Sequence, residues 1–240
     1  MKKIKVIAII CVAFVFVIGV SVFVKKDDYN YYLVIGDYVS NDQLINGEKV
    51  ESFSSLVSMY LENEKLVNES NVEYLKNNMT SKKLLEMIEA NSYKENKADL
   101  VNLIKKSKYI TITLGINDII NQIKYDSYSN KLVYDKDVIV NKIEMFKHNY
   151  HQIIQEIKDI NKEAKLILVG SYTLYSDEVL SDLVNDAIVE VSSEFDAYYV
   201  DVSEIRDKYL FQENELYLNK LGQEVISRKV ISLIKKIEEI

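Results

Sequence analysis

Three short apolar runs each end on glycine: Leu33-Val34-Ile35-Gly36, Ile110-Thr111-Ile112-Thr113-Leu114-Gly115 and Leu166-Ile167-Leu168-Val169-Gly170. Near-continuous hydrophobic runs of this length suit strands covered on both faces, as in a parallel sheet between helix layers. The chain has 6 glycines and no proline among 240 residues, so a glycine that persists marks a demand of the backbone. At the end of a strand that demand is a sharp turn at the carboxyl edge of the sheet, where open α/β sheets bind ligands.

Two further β-rich runs, Lys65–Val67 and Ala197–Val202, extend the pattern. Between the runs lie amphipathic segments. In the clearest, Asp137–Lys162, Ile139, Ile143, Phe146, Tyr150, Ile153 and Ile157 recur at helical spacing. Another, Leu221–Glu238, carries Val225, Val230, Ile231 and Ile234. Strands alternating with helices predict one α/β domain over residues 29–240, a parallel sheet with helices on both sides. No internal repeat, low-complexity tract or second linker interrupts it.

Residues 1–28 are a separate unit, an anchor and short linker. Lys2, Lys3 and Lys5 precede Val6–Val24, an uncharged apolar run of 19 residues. As a helix it reaches roughly 28 Å, enough to cross a bilayer core. The alternative, a cleaved signal peptide, has a shorter apolar core of about 7–15 residues and a small-x-small cleavage site. Gly19-Val20-Ser21 is a poor site inside the run, so a transmembrane helix is the expectation. The lysine bias sets the N-terminus inside and the domain outside the cytoplasm, close to the membrane. The lone cysteine, Cys11, lies within the run and excludes an intrachain disulfide.

From Asp27 onward all 37 acidic residues face only 25 of the 30 basic ones, a net charge of −12. The basic clusters that neutralise phosphates are missing, which argues against a nucleic-acid partner.

Gly36-Asp37-Tyr38, Gly115-Ile116-Asn117-Asp118 and the stretch Asn214-Glu215-Leu216-Tyr217 through Gly222 occur in this order. Together they resemble the motifs of the SGNH (GDSL-type) hydrolases, a family of esterases, lipases and acylhydrolases. The resemblance covers about residues 30–238. It implies a flavodoxin-like three-layer α/β/α sandwich with about five parallel strands. It also implies serine acyl transfer without a cofactor: a serine nucleophile, a histidine base oriented by an aspartate, and an oxyanion hole from a glycine and an asparagine.

Carried over by position, the triad is absent. The nucleophile position holds Tyr38, the aspartate position Asn214 and the histidine position Tyr217. Asn117 matches the oxyanion asparagine, with Gly115 and Asp118 beside it, and Asn78 falls at the oxyanion glycine. Gly36, Asp37 and Gly222 match as scaffold. A phenol, with a pKa of about 10, is a poor base at neutral pH beside an imidazole at about 6.5. Triad members act as a unit, and here all three differ.

Other residues offer rescues. Ser40 could be a displaced nucleophile, but with no base beside it a turn or helix-cap role is the expected one. Tyr38 is expected to fill the vacated pocket, against Tyr217, rather than attack substrate. His148 and His151 have the spacing of a metal pair on one helix face. They lie off its apolar stripe without a third ligand, so solvent-facing residues and no metal site are expected. Asp37 and Asp118 could form an acidic pair for proton transfer or cation binding, although turn acceptors are the expected role. These readings predict a membrane-anchored, catalytically degenerate hydrolase scaffold that binds an envelope glycan, an acyl group or a protein. The alternative is an active esterase with relocated residues.

Overall fold

The apolar runs become the centre of one sheet because each alternates its side chains between two helix layers. The computed structural model describes residues 30–37, 42–45, 48–91, 100–126, 128, 131–172, 177–211 and 214–239. Val6–Val24, Tyr38 and Ser40 therefore lie outside the described residues. Among the described residues no helix is long and apolar enough to cross a membrane.

In chain order the elements are β1 (Tyr31–Asp37), β2 (Gln43–Ile45), β3 (Glu48–Val50), α1 (Phe53–Asn63), β4 (Glu69–Lys76), α2 (Ser81–Asn91), α3 (Leu100–Lys106), β5 (Ser107–Thr113) and α4 (Ile116–Ile119). There follow β6 (Lys124–Asp126), β7 (Lys131–Val133), α5 (Lys136–Ile160), β8 (Lys165–Val169), α6 (Glu178–Glu194), β9 (Tyr198–Val200), β10 (Leu210–Phe211), β11 (Asn214–Leu218) and α7 (Lys220–Ile237). Five strands form the main sheet in the order β4-β1-β5-β8-β9. All four pairings are parallel, as expected.

The period-2 alternation of the strands divides the core. Leu33, Ile35, Ile110, Ile112, Leu166 and Leu168 pack with residues of α2, α3, α5 and α6. Tyr32, Val34, Tyr109, Ile167 and Val169 point the other way, with Phe53, Val57 and Leu61 of α1 and Val230 and Ile234 of α7. The stripe expected for the long helix is buried throughout, from Ile139 to Ile157.

One expected strand is displaced. Lys65–Val67 is not in the sheet: Leu66 and Val67 donate their amides to the Leu61 carbonyl, closing the turn after α1. The strand begins two residues later, at Glu69. As an edge strand read Glu-Ser-Asn-Val-Glu-Tyr-Leu-Lys, it is mostly polar and half-buried or exposed, with Leu75 alone fully buried, so no apolar run announces it.

The C-terminus is tied beneath the sheet. Glu238, which follows α7, accepts hydrogen bonds from the Tyr109 phenol and from Lys108 Nζ at 2.9 Å. Partial burial pushes the Glu238 carboxyl up, but the bonds from Tyr109 and Lys108 outweigh it and hold the group below its ordinary 4.5. A carboxyl depressed on folding stabilises above its unfolded value, and the contribution is lost as pH falls through the folded one. Glu238→Gln is therefore expected to melt below the parent at neutral pH. In thermal melts, the gap narrows as pH drops below about 4.5.

Candidate functional site

Gly36 and Thr113 are register partners at the carboxyl ends of β1 and β5. Gly36 has φ of 146°, and a Cβ there would lie 2.1 Å from the Thr113 carbonyl oxygen. Only glycine allows this approach, which sets Asp37 and the loop after β5 side by side. Gly115 has φ of 126°, and a Cβ on it would lie 2.4 Å from Val184 Cγ1. This lets the turn into α4, with Asn117, press against α6.

A cavity of ≈ 40 Å³ opens at this edge. Among the described residues its polar lining is Asp37, Thr113, Ser171 and Tyr172, facing Phe53, Leu114, Ile116, Leu218 and Ile226. Asp37 is 6% exposed and Tyr172 8%. Tyr172 was not expected from the sequence. Burial, then the nearby Asp37 carboxylate, then Tyr217 push its phenol well above the ordinary 10.0. Tyr172 therefore stays protonated at neutral pH and acts as a hydrogen-bond donor, not as a base.

The loop carrying Tyr172 is pinned by Asn185, a buried amide on α6. Asn185 Oδ1 accepts from the Ser171 amide at 2.7 Å, and its Nδ2 donates to the Ser171 carbonyl at 3.0 Å. Two signals were available for this unit. Ser171-Tyr172 directly follows the strand-end Gly170, and Asn185 interrupts the buried stripe Leu180, Val184, Ile188.

Asp118 is held by the start of α2. Its carboxylate accepts from the Ser81 amide at 3.2 and 3.1 Å and from Ser81 Oγ at 2.6 Å. Asn149 Nδ2 of α5 donates to the same hydroxyl at 3.1 Å. Burial raises the Asp118 carboxyl above its ordinary 3.8, against the lowering by Ser81 and Lys142. Asp37 is not among the groups that shift the Asp118 carboxyl. Asp118 joins the turn carrying Asn117 to the start of α2. Just upstream, Asn78 has φ of 54°, a left-handed turn conformation that asparagine tolerates and glycine favours. Its carbonyl accepts from Lys83 Nζ at 2.9 Å.

At the third motif, Asn214 pairs with Phe211 across β10 and β11. Tyr217 is half-buried and close enough to Tyr172 to disfavour its ionisation. Asn219 caps α7 by accepting from the Gly222 amide at 3.0 Å. A Cβ on Gly222 would come within 2.5 Å of the Tyr209 carbonyl oxygen, so this glycine is a packing requirement.

His148 and His151 sit on the exposed side of α5. His151 meets Glu194 at 3.3 Å and the Phe195 ring edge-on at 4.8 Å. Neither contributes an imidazole to the cleft. Among the described residues no three His, Cys, Asp or Glu side chains are grouped to hold a metal ion.

Parallel strands between two helix layers, with the motif-bearing turns gathered at their carboxyl ends, define the class of α/β/α hydrolase-type folds. The sequence profile of the GDSL-like Lipase/Acylhydrolase family matches residues 29–230, and the chain belongs to that family. No curated protein matches the chain. Among solved structures, a lipase from a goat rumen metagenome superposes with a TM-score of 0.66 at 18% identity, over 84% of this chain and 96% of that one. The psychrotrophic esterase EstA from Pseudoalteromonas sp. gives 0.59 at 17%, over 88% and 100%. A variant of a Geobacillus acetyl-xylooligosaccharide esterase gives 0.59 at 16%, over 85% and 93%. At these identities the likeness carries the fold alone.

If Asp118 is the bracket between the two turns, its loss leaves the Ser81 amide and hydroxyl without their acceptor. Asp118→Ala is expected to cost about 1–3 kcal/mol in denaturant unfolding. Ser81→Ala is expected to cost less. The double variant should fall short of the sum, because both changes remove one network.

Proposed function

We propose that this chain is a membrane-anchored, extracytoplasmic family member whose cleft has given up serine acyl transfer. It serves as a binding or scaffold module at the cell envelope. The observation that supports this most directly is the setting of the only two imidazoles. Both lie on the outer side of α5, while the position of the family's base carries Tyr217 beside a protonated Tyr172. Serine acyl transfer needs a group that takes the nucleophile's proton and returns it to the leaving group. A phenol, with an ordinary pKa of about 10, is a poor base at neutral pH beside an imidazole at about 6.5. The neighbouring Tyr172, raised further still by burial, does not replace it.

What persists is suited to holding a ligand. Asn117 stands half-buried on a turn shaped by Gly115, and Asp37 and Tyr172 supply an acceptor and a donor at the cavity. The apolar wall from Phe53 to Ile226 suits an acyl group or a sugar face. The anchor is Val6–Val24, and the expected ligands are an envelope glycan, an acyl group or a protein segment.

The competing reading is an active esterase with relocated residues, favoured by the retained Asn117 turn. Turnover of short-chain aryl esters by the detergent-solubilised full chain separates the two. The expected rate is that of the protein-free blank, for the parent and for a Tyr38→Ala variant alike; turnover by the parent clearly above the blank overturns the degenerate reading.

A further inference from the structure

We infer that the cleft faces away from the membrane holding the chain, so that its ligand is not a phospholipid of that bilayer. The ligand is instead a water-soluble or polymer-borne group arriving from the far side. This rests on the proposed anchor, together with the polarity of β1 and the length of chain before it.

All five strands of the main sheet are parallel, so the fold has an amino pole and a carboxyl pole. The chain enters the domain at Tyr31, the amino end of β1. The cavity lies at the other end of the same strand, beside Asp37. From Tyr31 to Asp37 is about 20 Å at the usual rise of an extended chain.

Lys25 to Asn30, the stretch between the apolar run and β1, spans at most about 20 Å when fully extended. To set the cavity mouth on the bilayer, that stretch would have to run the length of β1. It would also have to pass around a helix layer about 10 Å thick. The two together exceed its reach, so the tether holds the amino pole to the membrane and the cleft outward.

The side chains at the amino pole suit that surface. Lys105 and Lys106 end α3, Lys235 and Lys236 end α7, and Lys108 and Lys165 open β5 and β8. Lys106 also lies over the ring of Tyr31, 5.1 Å from its centroid, at the point of entry. Lysines at helix C-termini complement the helix dipole, and the same charges favour anionic headgroups. Acidic residues such as Glu69 and Glu238 share the pole, so the lysines assist the orientation and the tether imposes it.

Energy transfer in phospholipid vesicles tests the orientation. The full chain carrying Cys11→Ser receives one dye, through Lys105→Cys at the amino pole or Tyr128→Cys on the β6–β7 turn. Tyr128 is 100% exposed and its turn follows the carboxyl end of β5. The acceptor dye sits on the lipid headgroups. Transfer is expected to be several-fold stronger from position 105 than from position 128, in protein that floats with the vesicles. Floating protein with equal or stronger transfer from position 128 overturns the orientation alone. Protein that does not float overturns the anchor, and this inference with it.

Discussion

Everything at the candidate site depends on how closely β1 and β5 approach at their carboxyl ends. Gly36 leaves no space for a Cβ against the Thr113 backbone, and its φ lies where only glycine is at ease. Any side chain there would push apart the two central strands and, with them, the turns that follow. Gly115 repeats the constraint one turn later against Val184. The two glycines bring Asp37 and Asn117 to the same edge. The Asp118–Ser81 bonds extend this arrangement to the start of α2.

The backbone frame is that of the GDSL-like lipase/acylhydrolase family. A protonated, buried Tyr172 beside Asp37 is a hydrogen-bond donor next to an acceptor. Asp118, the other carboxylate near the site, is occupied by a helix start. The frame keeps its geometry because packing alone demands it: Gly36, Gly115 and Gly222 each face atoms that would collide with a Cβ. Such demands persist whether or not the reaction does.

Much of the fold was legible in the sequence, because burial on both faces makes β1, β5 and β8 continuous apolar runs ended by turns. The edge strand β4 was misplaced to Lys65–Val67, since a mostly polar edge carries no such run. At the site, the strand-end glycines and Asn117 were readable as motif positions. The structural role expected for Asp118 was also readable, though its partner Ser81, 37 residues away, was not. Tyr172 was missed because its surroundings are tertiary. Asp37 and Tyr217 reach it from distant parts of the chain, and in a sequence with 18 tyrosines its own identity carries no signal. Tyr38 and Ser40 lie outside the described residues, so the pocket-filling and displaced-nucleophile expectations rest on the sequence.

The central claim is that no side chain of this chain is activated for attack on an acyl or phosphonyl centre. It is tested most directly by intact-mass measurement of the full chain after incubation with a serine-reactive fluorophosphonate. The expected result is the unmodified mass, with a family esterase bearing an intact triad labelled in parallel. A stoichiometric adduct on the native chain, lost on unfolding before exposure, would contradict it.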